Sequence, residues 1–325
     1  MKRLFAVYMI LIGIYLVYMY NYMTQSSSST SWNEVGLKGE IDETYVMVTF
    51  QAGIDYWRKC LKGFEDAAQA LNVSVEYRGA TQYDVHEQLT VLEQVIARKP
   101  AGIALTAIDP EALNEMIDKA IDSGIPVVLF DSGAPESRAY AFLGTDNYNA
   151  GATAAHKMAE LLAETGKVAV ITSPNQLNHQ ERTKGFRDTI HARYPKMQVV
   201  EILDCKGDQL ESKRAAEEVM RRHPDLSGIF VTEANGGVGA GEAKRENHRH
   251  DLKIIGFDTD KGTLDMVKEG VISATLAQGT WKMGYWSLQF LFHLNHEIGD
   301  PDVPRVVDTG ITVVTRENVD QFYAK

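Results

Sequence analysis

Two aspartates, Asp131 and Asp258, are informative because each directly follows a run of apolar and β-branched residues. The guanidinium of Arg182 and the side-chain amides of Asn147 and Gln278 come from other parts of the chain. Carboxylate, amide and guanidinium groups are planar, and each can hydrogen bond with several hydroxyls at once. Together these residue types favour the binding of a neutral polyhydroxy compound.

An adjacent aromatic pair, Tyr56 and Trp57, adds a surface that suits the C–H side of a ring-shaped ligand. Each candidate also has a structural alternative. Trp57 could be a buried packing residue at a helix start, the two aspartates could be helix caps or turn residues, and Arg182 could be a surface charge.

The elements that must position these side chains are strands and helices in alternation. Amphipathic stretches separate short apolar runs, which predict strands at Tyr45–Phe50, Gly102–Thr106, Pro126–Phe130, Val168–Thr172, Gly228–Thr232 and Lys253–Phe257. This alternation is typical of βαβ units with parallel sheets. Ligands bind outside the carboxyl ends of parallel strands, which is where the aromatic pair, both aspartates, Arg182 and Glu233 fall.

An internal duplication predicts two similar lobes. Gly63-Phe64 follows the first strand at the same spacing as Gly185-Phe186 follows the fourth. The later strands of each half also match. The distance along the chain from Gly102 to Asp131 differs by only one residue from the distance between Gly228 and Asp258. Agreement across four elements predicts an α/β fold of two doubly wound parallel-sheet lobes that face each other across a ligand cleft.

Composition excludes several classes of protein. The chain has 325 residues, of which 44% are hydrophobic and 24% charged, as expected for a folded protein of about two domains. Its net charge of -11 repels phosphate backbones, so no nucleic-acid partner is expected. Two cysteines, Cys60 and Cys205, are too few for a disulfide framework or a zinc site, and whether they pair stays open.

Motifs for catalysis or cofactor binding are weak. The glycine-rich stretch 233–241 lacks the pattern of a phosphate or dinucleotide loop, and the histidines of 247–251 fall where a solvated loop is expected. We therefore expect no cofactor and no metal. A glycosidase that uses paired carboxylates is the enzyme alternative, and we expect that the chain is not an enzyme.

The first 23 residues predict a membrane segment. Lys2 and Arg3 precede seventeen uncharged residues, Leu4 to Tyr20, and a tyrosine-rich end. Bulky residues occupy the place where a signal peptidase would need small ones, so an uncleaved transmembrane anchor is favoured over a cleaved signal peptide. A serine-rich linker over 24–43 follows, and the binding domain is expected to be extracellular on a single-pass anchor.

In their order along the chain, several short stretches resemble the type I periplasmic sugar-binding proteins, which bind ribose, galactose, xylose or arabinose. These stretches are Tyr56-Trp57, Gly63-Phe64, Ile125–Asp131, Gly144–Asn147, Glu181–Phe186, Ile255–Asp258 and Thr275–Gln278. The resemblance covers the chain from about Tyr45 to its end. It implies a clamshell whose chain crosses three times between lobes, with one lobe formed by 44–146 and 279–308 and the other by 147–278 and 309–325.

The resemblance also implies roles for site residues. Tyr56 and Trp57 supply an aromatic wall, Asp131, Arg182, Asp258 and Gln278 hydrogen bond with the sugar, and Asn147 and Gln278 lie at crossings. Glu233 stands where many members carry an asparagine, and no aromatic is found near Gly207, where ribose binders have one. An extra carboxylate suits a more hydroxyl-rich ring or an amine-bearing ligand.

The predicted anchor resembles membrane-fixed sugar-binding proteins that signal to a membrane histidine kinase. A kinase partner is therefore expected, and the alternative partner is the permease of an ABC sugar importer. A sugar-responsive repressor would need a helix-turn-helix headpiece, which this chain lacks.

Overall fold

The computed structural model describes residues 37–54, 56–234, 236–298 and 304–323. Twelve strands are found there: β1 Thr44–Thr49, β2 Ser74–Gly79, β3 Gly102–Leu105, β4 Val127–Phe130, β5 Phe142–Gly144, β6 Gly166–Thr172, β7 Met197–Asp204, β8 Leu226–Val231, β9 Lys253–Phe257, β10 Ala274–Gln278, β11 Val306–Asp308 and β12 Ile311–Val314. The α-helices of the same residues are α1 Tyr56–Leu71, α2 Val85–Ala97, α3 Pro110–Asp122, α4 Asn147–Leu161, α5 Leu177–Arg193, α6 Gln209–Arg222, α7 Gly236–Glu246, α8 Lys261–Glu269 and α9 Thr280–Asn295.

The predicted membrane segment 1–23 lies outside the described residues, as does the predicted linker 24–43 except for its last seven residues. Within the described part of the chain, no helix combines the length and the apolar character needed to cross a membrane.

Two six-stranded sheets have the same strand order. The first has the order β11-β5-β4-β3-β1-β2 and the second β12-β10-β9-β8-β6-β7, so each strand of one sheet has a counterpart in the other. The pairings are parallel except that β12 runs antiparallel to β10. The two sheets with their helices are called the first and the second lobe, and the expected pair of doubly wound lobes is confirmed.

All six predicted strands are present, with their ends within two residues of the expected positions. They are mostly central strands buried on both faces, which produces continuous apolar runs. The other six strands were not predicted. Of these, β2 and β7 are partly exposed edge strands whose polar residues hide the pattern, and β5 and β11 have only three residues each.

The core lies on both faces of each sheet. Along β1, Tyr45 and Met47 pack under α1 and α9, whereas Val46 and Val48 pack under α2 and α3 on the opposite face. This alternation follows from the two-residue period of a strand. The second lobe repeats the arrangement, with α4 and α5 on one face of its sheet and α6 to α8 on the other.

The duplicated glycines mark where two helices approach closely. A Cβ at Gly63 in α1 would lie 2.0 Å from the Trp281 carbonyl oxygen in α9, and one at Gly185 in α5 would lie 1.9 Å from the Tyr148 carbonyl oxygen in α4. Neither pair of helices could pack at this distance with any side chain at the glycine. The duplication therefore reflects one helix-packing solution used twice.

A carboxylate also clamps each of these helix pairs. Asp66 accepts a hydrogen bond from Trp281 Nε1 at 2.9 Å and pairs with Lys62 on its own helix. Asp188 pairs with Lys184 at 2.7 Å and accepts a longer bond, 3.5 Å, from the Tyr148 hydroxyl.

The lobes are joined at three crossings. The first lies between β5 and α4, the second at Gly279 between β10 and α9, and the third at Thr309 and Gly310 between β11 and β12. Asn147 directly follows the first crossing and Gln278 directly precedes the second. Cys60 and Cys205 are buried free thiols in different lobes, so they do not pair.

Candidate ligand-binding site

The two aspartates occupy equivalent positions at the ends of β4 and β9. Asp131 and Asp258 both adopt left-handed backbone conformations, with φ of 60° and 66°. The Asp131 amide donates to the Leu143 carbonyl at 3.1 Å, and the Asp258 amide donates to the Leu276 carbonyl at 2.8 Å. Each strand therefore ends in the same strained turn, which directs its carboxyl group into the space between the lobes' strand ends.

Arg182 is a buried cation rather than a surface charge. Its side chain is 2% exposed. Nε donates to Asn147 Oδ1 at 2.8 Å, one terminal nitrogen donates to the Thr232 carbonyl at 2.8 Å, and the other donates to Gln278 Oε1 at 3.1 Å. The guanidinium carbon lies 3.7 Å from the centre of the Phe257 ring. These contacts fix the plane of the guanidinium at the floor of the cleft.

Gln278 connects the lobes. Its Nε2 donates to the Tyr56 hydroxyl at 3.0 Å and to Asp258 Oδ1 at 2.9 Å. The Tyr56 hydroxyl in turn donates to Asp131 Oδ1. A continuous hydrogen-bonded network thus runs from Asp131 in the first lobe to Asp258 in the second, and the lobes are closed on each other.

A second bridge lies outside this network. Lys59 in α1 donates to the Thr259 hydroxyl of the second lobe at 3.4 Å. Because Thr259 directly follows Asp258, this contact lies close to the cleft.

Burial controls the protonation of the network. It raises the pKa of Asp258 to about 7, although the Arg182 charge and the Gln278 hydrogen bond act in the opposite direction. Burial likewise raises the pKa of Asp131 against the Tyr56 hydrogen bond and Arg182, and it raises the pKa of Tyr56 well above its usual value. Burial also lowers the pKa of Arg182. Burial thus disfavours the charged form of each of these groups, and the opposite charges and hydrogen bonds around them offset this only in part.

Trp57 lies in the aromatic core of the first lobe, where it is 2% exposed. Its ring packs edge-on against Phe50, Tyr56 and Phe130, with centroid distances of 5.2, 4.7 and 5.8 Å. Its indole N–H has no acceptor among the described residues. The structure therefore places Trp57 behind Tyr56 as a buried packing residue, which is the structural alternative that the sequence left open.

Glu233 lies at the margin of the group. Its Oε1 would be 2.8 Å from a Cβ at Gly236, so the carboxylate faces the start of α7. Its charge adds to burial in raising the pKa of Cys205 to about 11. The cleft network described above therefore joins Asp131, Asp258, Arg182, Asn147, Gln278 and Tyr56, with Trp57 and Glu233 at its edges.

Four residues of the network were missed in the sequence. Thr145 donates a hydrogen bond to Gln278 Oε1 at 2.7 Å. His179 Nδ1 lies 3.1 Å from the hydroxyl of Thr232, and the Thr232 carbonyl accepts a hydrogen bond from Arg182. Phe257 stacks under the guanidinium. Thr232 and Phe257 come immediately before Glu233 and Asp258, so a search that began one residue earlier would have found them.

Carboxylates, an amide and a guanidinium within one closed cleft can both accept from and donate to the hydroxyls of a polyol. In the part of the chain that the structure describes, no group of three or more His, Cys, Asp or Glu side chains is arranged to hold a metal ion.

The sequence profile of the periplasmic binding protein domain matches residues 45–297. The chain belongs to this family. It has the type I fold, with two parallel-sheet lobes around a cleft, and the resemblance seen in the sequence is confirmed.

Solved structures of similar proteins cover nearly all of the described chain. An arabinose-binding protein, AraP from Geobacillus stearothermophilus, is 68% identical, with a TM-score of 0.82, and the match covers 87% of this chain and 100% of that one. A sugar-binding protein of a sugar ABC transporter from Bacillus halodurans is 63% identical, with a TM-score of 0.84 and the same coverage. A XylFII-LytSN complex is 26% identical, with a TM-score of 0.76, over 84% of this chain and 98% of that one.

Proposed function

We propose that this protein closes on a single monosaccharide outside the cytoplasm and passes the closed state to a membrane partner, without chemical change to the sugar. The observation that carries the proposal is the Gln278 side chain, which hydrogen bonds with Tyr56 of one lobe and Asp258 of the other. A sugar bound there would replace these contacts with hydrogen bonds to its own hydroxyls. The proposed ligand contacts are Tyr56, Asp131, Asn147, Arg182, Asp258 and Gln278, with Trp57 packed behind Tyr56 and Glu233 at the margin.

We infer that the sugar is arabinose. The 68% identity to an arabinose-binding protein supports this choice, since the match covers that whole chain. The network offers two carboxylates for hydroxyl donors and one guanidinium for hydroxyl or ring-oxygen acceptors, which suits a neutral pentose.

Isothermal titration calorimetry of the purified full chain tests the sugar. We expect tight binding of arabinose and weaker binding of ribose, xylose and galactose. A parallel thermal scan should rise with arabinose, because a ligand at 100 times its dissociation constant adds about 2.7 kcal/mol to stability. Binding of none of these sugars would contradict the proposal, and preference for another sugar would contradict the assignment of arabinose.

For the partner we propose a membrane histidine kinase, with the predicted segment 1–23 as a single-pass anchor. A fixed binding protein needs only to present a surface that differs between open and closed states. The XylFII-LytSN complex supports assembly of this fold with a second protein. The transporter neighbour from Bacillus halodurans favours the alternative, an ABC permease. Arabinose-dependent gene induction that survives loss of sugar uptake would separate the kinase from the permease.

A further inference from the structure

The three crossings between the lobes are hydrogen bonded to each other. The Thr309 amide of the third crossing donates to the Gly144 carbonyl, which precedes the first, at 2.8 Å. The Gly279 amide of the second crossing donates to the Gly310 carbonyl of the third at 3.1 Å. Any rotation of one lobe against the other has to bend these three segments. Side chains that join the segments can therefore set the balance between open and closed states.

Asp308 is one such side chain. It ends β11, and its Oδ1 accepts from two backbone amides, that of Asp146 in the first crossing at 3.1 Å and that of Gly310 in the third at 2.9 Å. One carboxylate oxygen therefore holds two crossings together.

Thr145 continues the connection towards the cleft. It is the residue before Asp146, it is buried, and its hydroxyl donates to Gln278 Oε1 at 2.7 Å. The bond fixes the orientation of the Gln278 amide, whose Nε2 then points to Tyr56 and Asp258. A path of hydrogen bonds thus runs from Asp308 through the first crossing to the proposed ligand site.

We propose that Asp308 and Thr145 are positioning residues that set the closure equilibrium, and through it the apparent affinity for every sugar, without contact with the ligand. The proposal rests on the proposed sugar-binding function. The bonds are formed in the closed structure, so they stabilise the closed arrangement relative to one in which the crossings have turned.

A residue of this kind has a distinctive signature. When only a fraction of the protein is competent to bind, the apparent dissociation constant equals the intrinsic constant divided by that fraction, so it rises by the same factor for all ligands. A side chain that touches the sugar instead changes the affinities of different sugars by different factors. The order and ratio of sugar affinities therefore distinguish a positioning role from a contact role.

The variants for the test are Asp308→Ala, Thr145→Val and Thr145→Ser, made in the full chain. Thr145→Val keeps the shape of the side chain and removes the hydroxyl that donates to Gln278. Thr145→Ser keeps this hydroxyl. Asp208→Ala is the matched control, because Asp208 also accepts from a backbone amide, that of Glu211 at 2.9 Å, but at the start of α6, away from the crossings.

Two measurements are made on each variant: titration calorimetry with arabinose, ribose, xylose and galactose, and small-angle scattering without sugar. We expect Asp308→Ala to weaken every sugar that binds by the same factor, about fivefold to tenfold, and both Asp308→Ala and Thr145→Val to raise the radius of gyration of the sugar-free protein. Thr145→Ser and Asp208→Ala should match the wild type in both.

Unequal changes among sugars in Asp308→Ala, or unchanged affinities with an unchanged radius of gyration, would overturn the proposal. An equal loss in Asp208→Ala would also overturn it, since that would show a general effect of stability. If the wild type binds none of the sugars, the proposed function fails. The scattering comparison then still decides the hinge proposal, because it needs no ligand.

Discussion

At the residue scale, the candidate site depends on charged groups that are buried away from water and stabilised by hydrogen bonds. Arg182 is held on three sides by Asn147, the Thr232 carbonyl and Gln278, and its face rests on Phe257. A lysine cannot reproduce this forked set of bonds, because its ammonium is a single point charge.

We therefore expect Arg182→Lys to fold but to lose about 100-fold in sugar affinity, which corresponds to about 3 kcal/mol or two charge-assisted hydrogen bonds. Titration calorimetry measures the loss, and far-ultraviolet circular dichroism checks the fold. An affinity equal to that of the wild type would show that the guanidinium has no role in binding.

The pKa of Asp258 predicts a pH dependence of stability. Because the folded-state pKa is raised from 3.8 to about 7, the folded protein binds more protons than the unfolded chain between these values. The contribution of Asp258 to the free energy of unfolding is fully present below about pH 4. It is lost as the pH rises to 7, by at most about 4 kcal/mol.

Asp258→Asn should remove this slope, so its stability relative to the wild type should increase from pH 5 to pH 8. Urea unfolding at both pH values measures the difference, with Asp208→Asn as the control for an exposed cap. Parallel slopes in the wild type and Asp258→Asn would contradict the assignment.

At the element scale, two glycine-mediated helix pairs build the two lobes. The pair α1 and α9 and the pair α4 and α5 each approach until a Cβ would meet a backbone carbonyl at about half the usual contact distance. A backbone atom cannot move aside as a flexible side chain can, so the helices themselves would have to separate.

Gly185→Ala should therefore lower the stability by about 1–3 kcal/mol, the usual cost of overpacking. The control is Gly237→Ala in α7, where the nearest atom to the added Cβ is 3.5 Å away, and which should be neutral or stabilising through helix propensity. Thermal unfolding of both variants checks this. Equal melting temperatures would mean that the close approach is not needed.

At the scale of the whole molecule, the lobes meet through Gln278 and through the Lys59 contact to Thr259. Closure buries the network, and the same closure would change the surface that a partner meets. The proposed attachment to a membrane depends on segment 1–23, which lies outside the described residues.

We expect the mature protein to have the intact mass of the full chain, 36.2 kDa, and to sediment with membranes. A variant that begins at residue 37 should be released and should bind sugar with unchanged affinity, because no site residue precedes Tyr56. Mass spectrometry and cell fractionation test both points. A shortened mass for the native protein would favour the cleaved signal peptide.

The sequence by itself determined the α/β fold with two equivalent lobes and the strand ends at which a site must lie. Central strands are buried on both faces, so their apolar runs are readable, and a duplication repeats spacing as well as residue type. Asp131 and Asp258 were identified for this reason, since each directly follows such a run.

Only the tertiary structure decided which candidates meet. Arg182 and Gln278 lie far apart in the chain, and nothing local shows that one donates to the other or that Thr145 orients the amide between them. Burial depth is likewise a property of the packed structure: Trp57 is buried behind Tyr56, and burial raises the pKa of Asp258. Local patterns fix which residues end a strand, whereas desolvation and cross-lobe contacts arise only when the lobes pack.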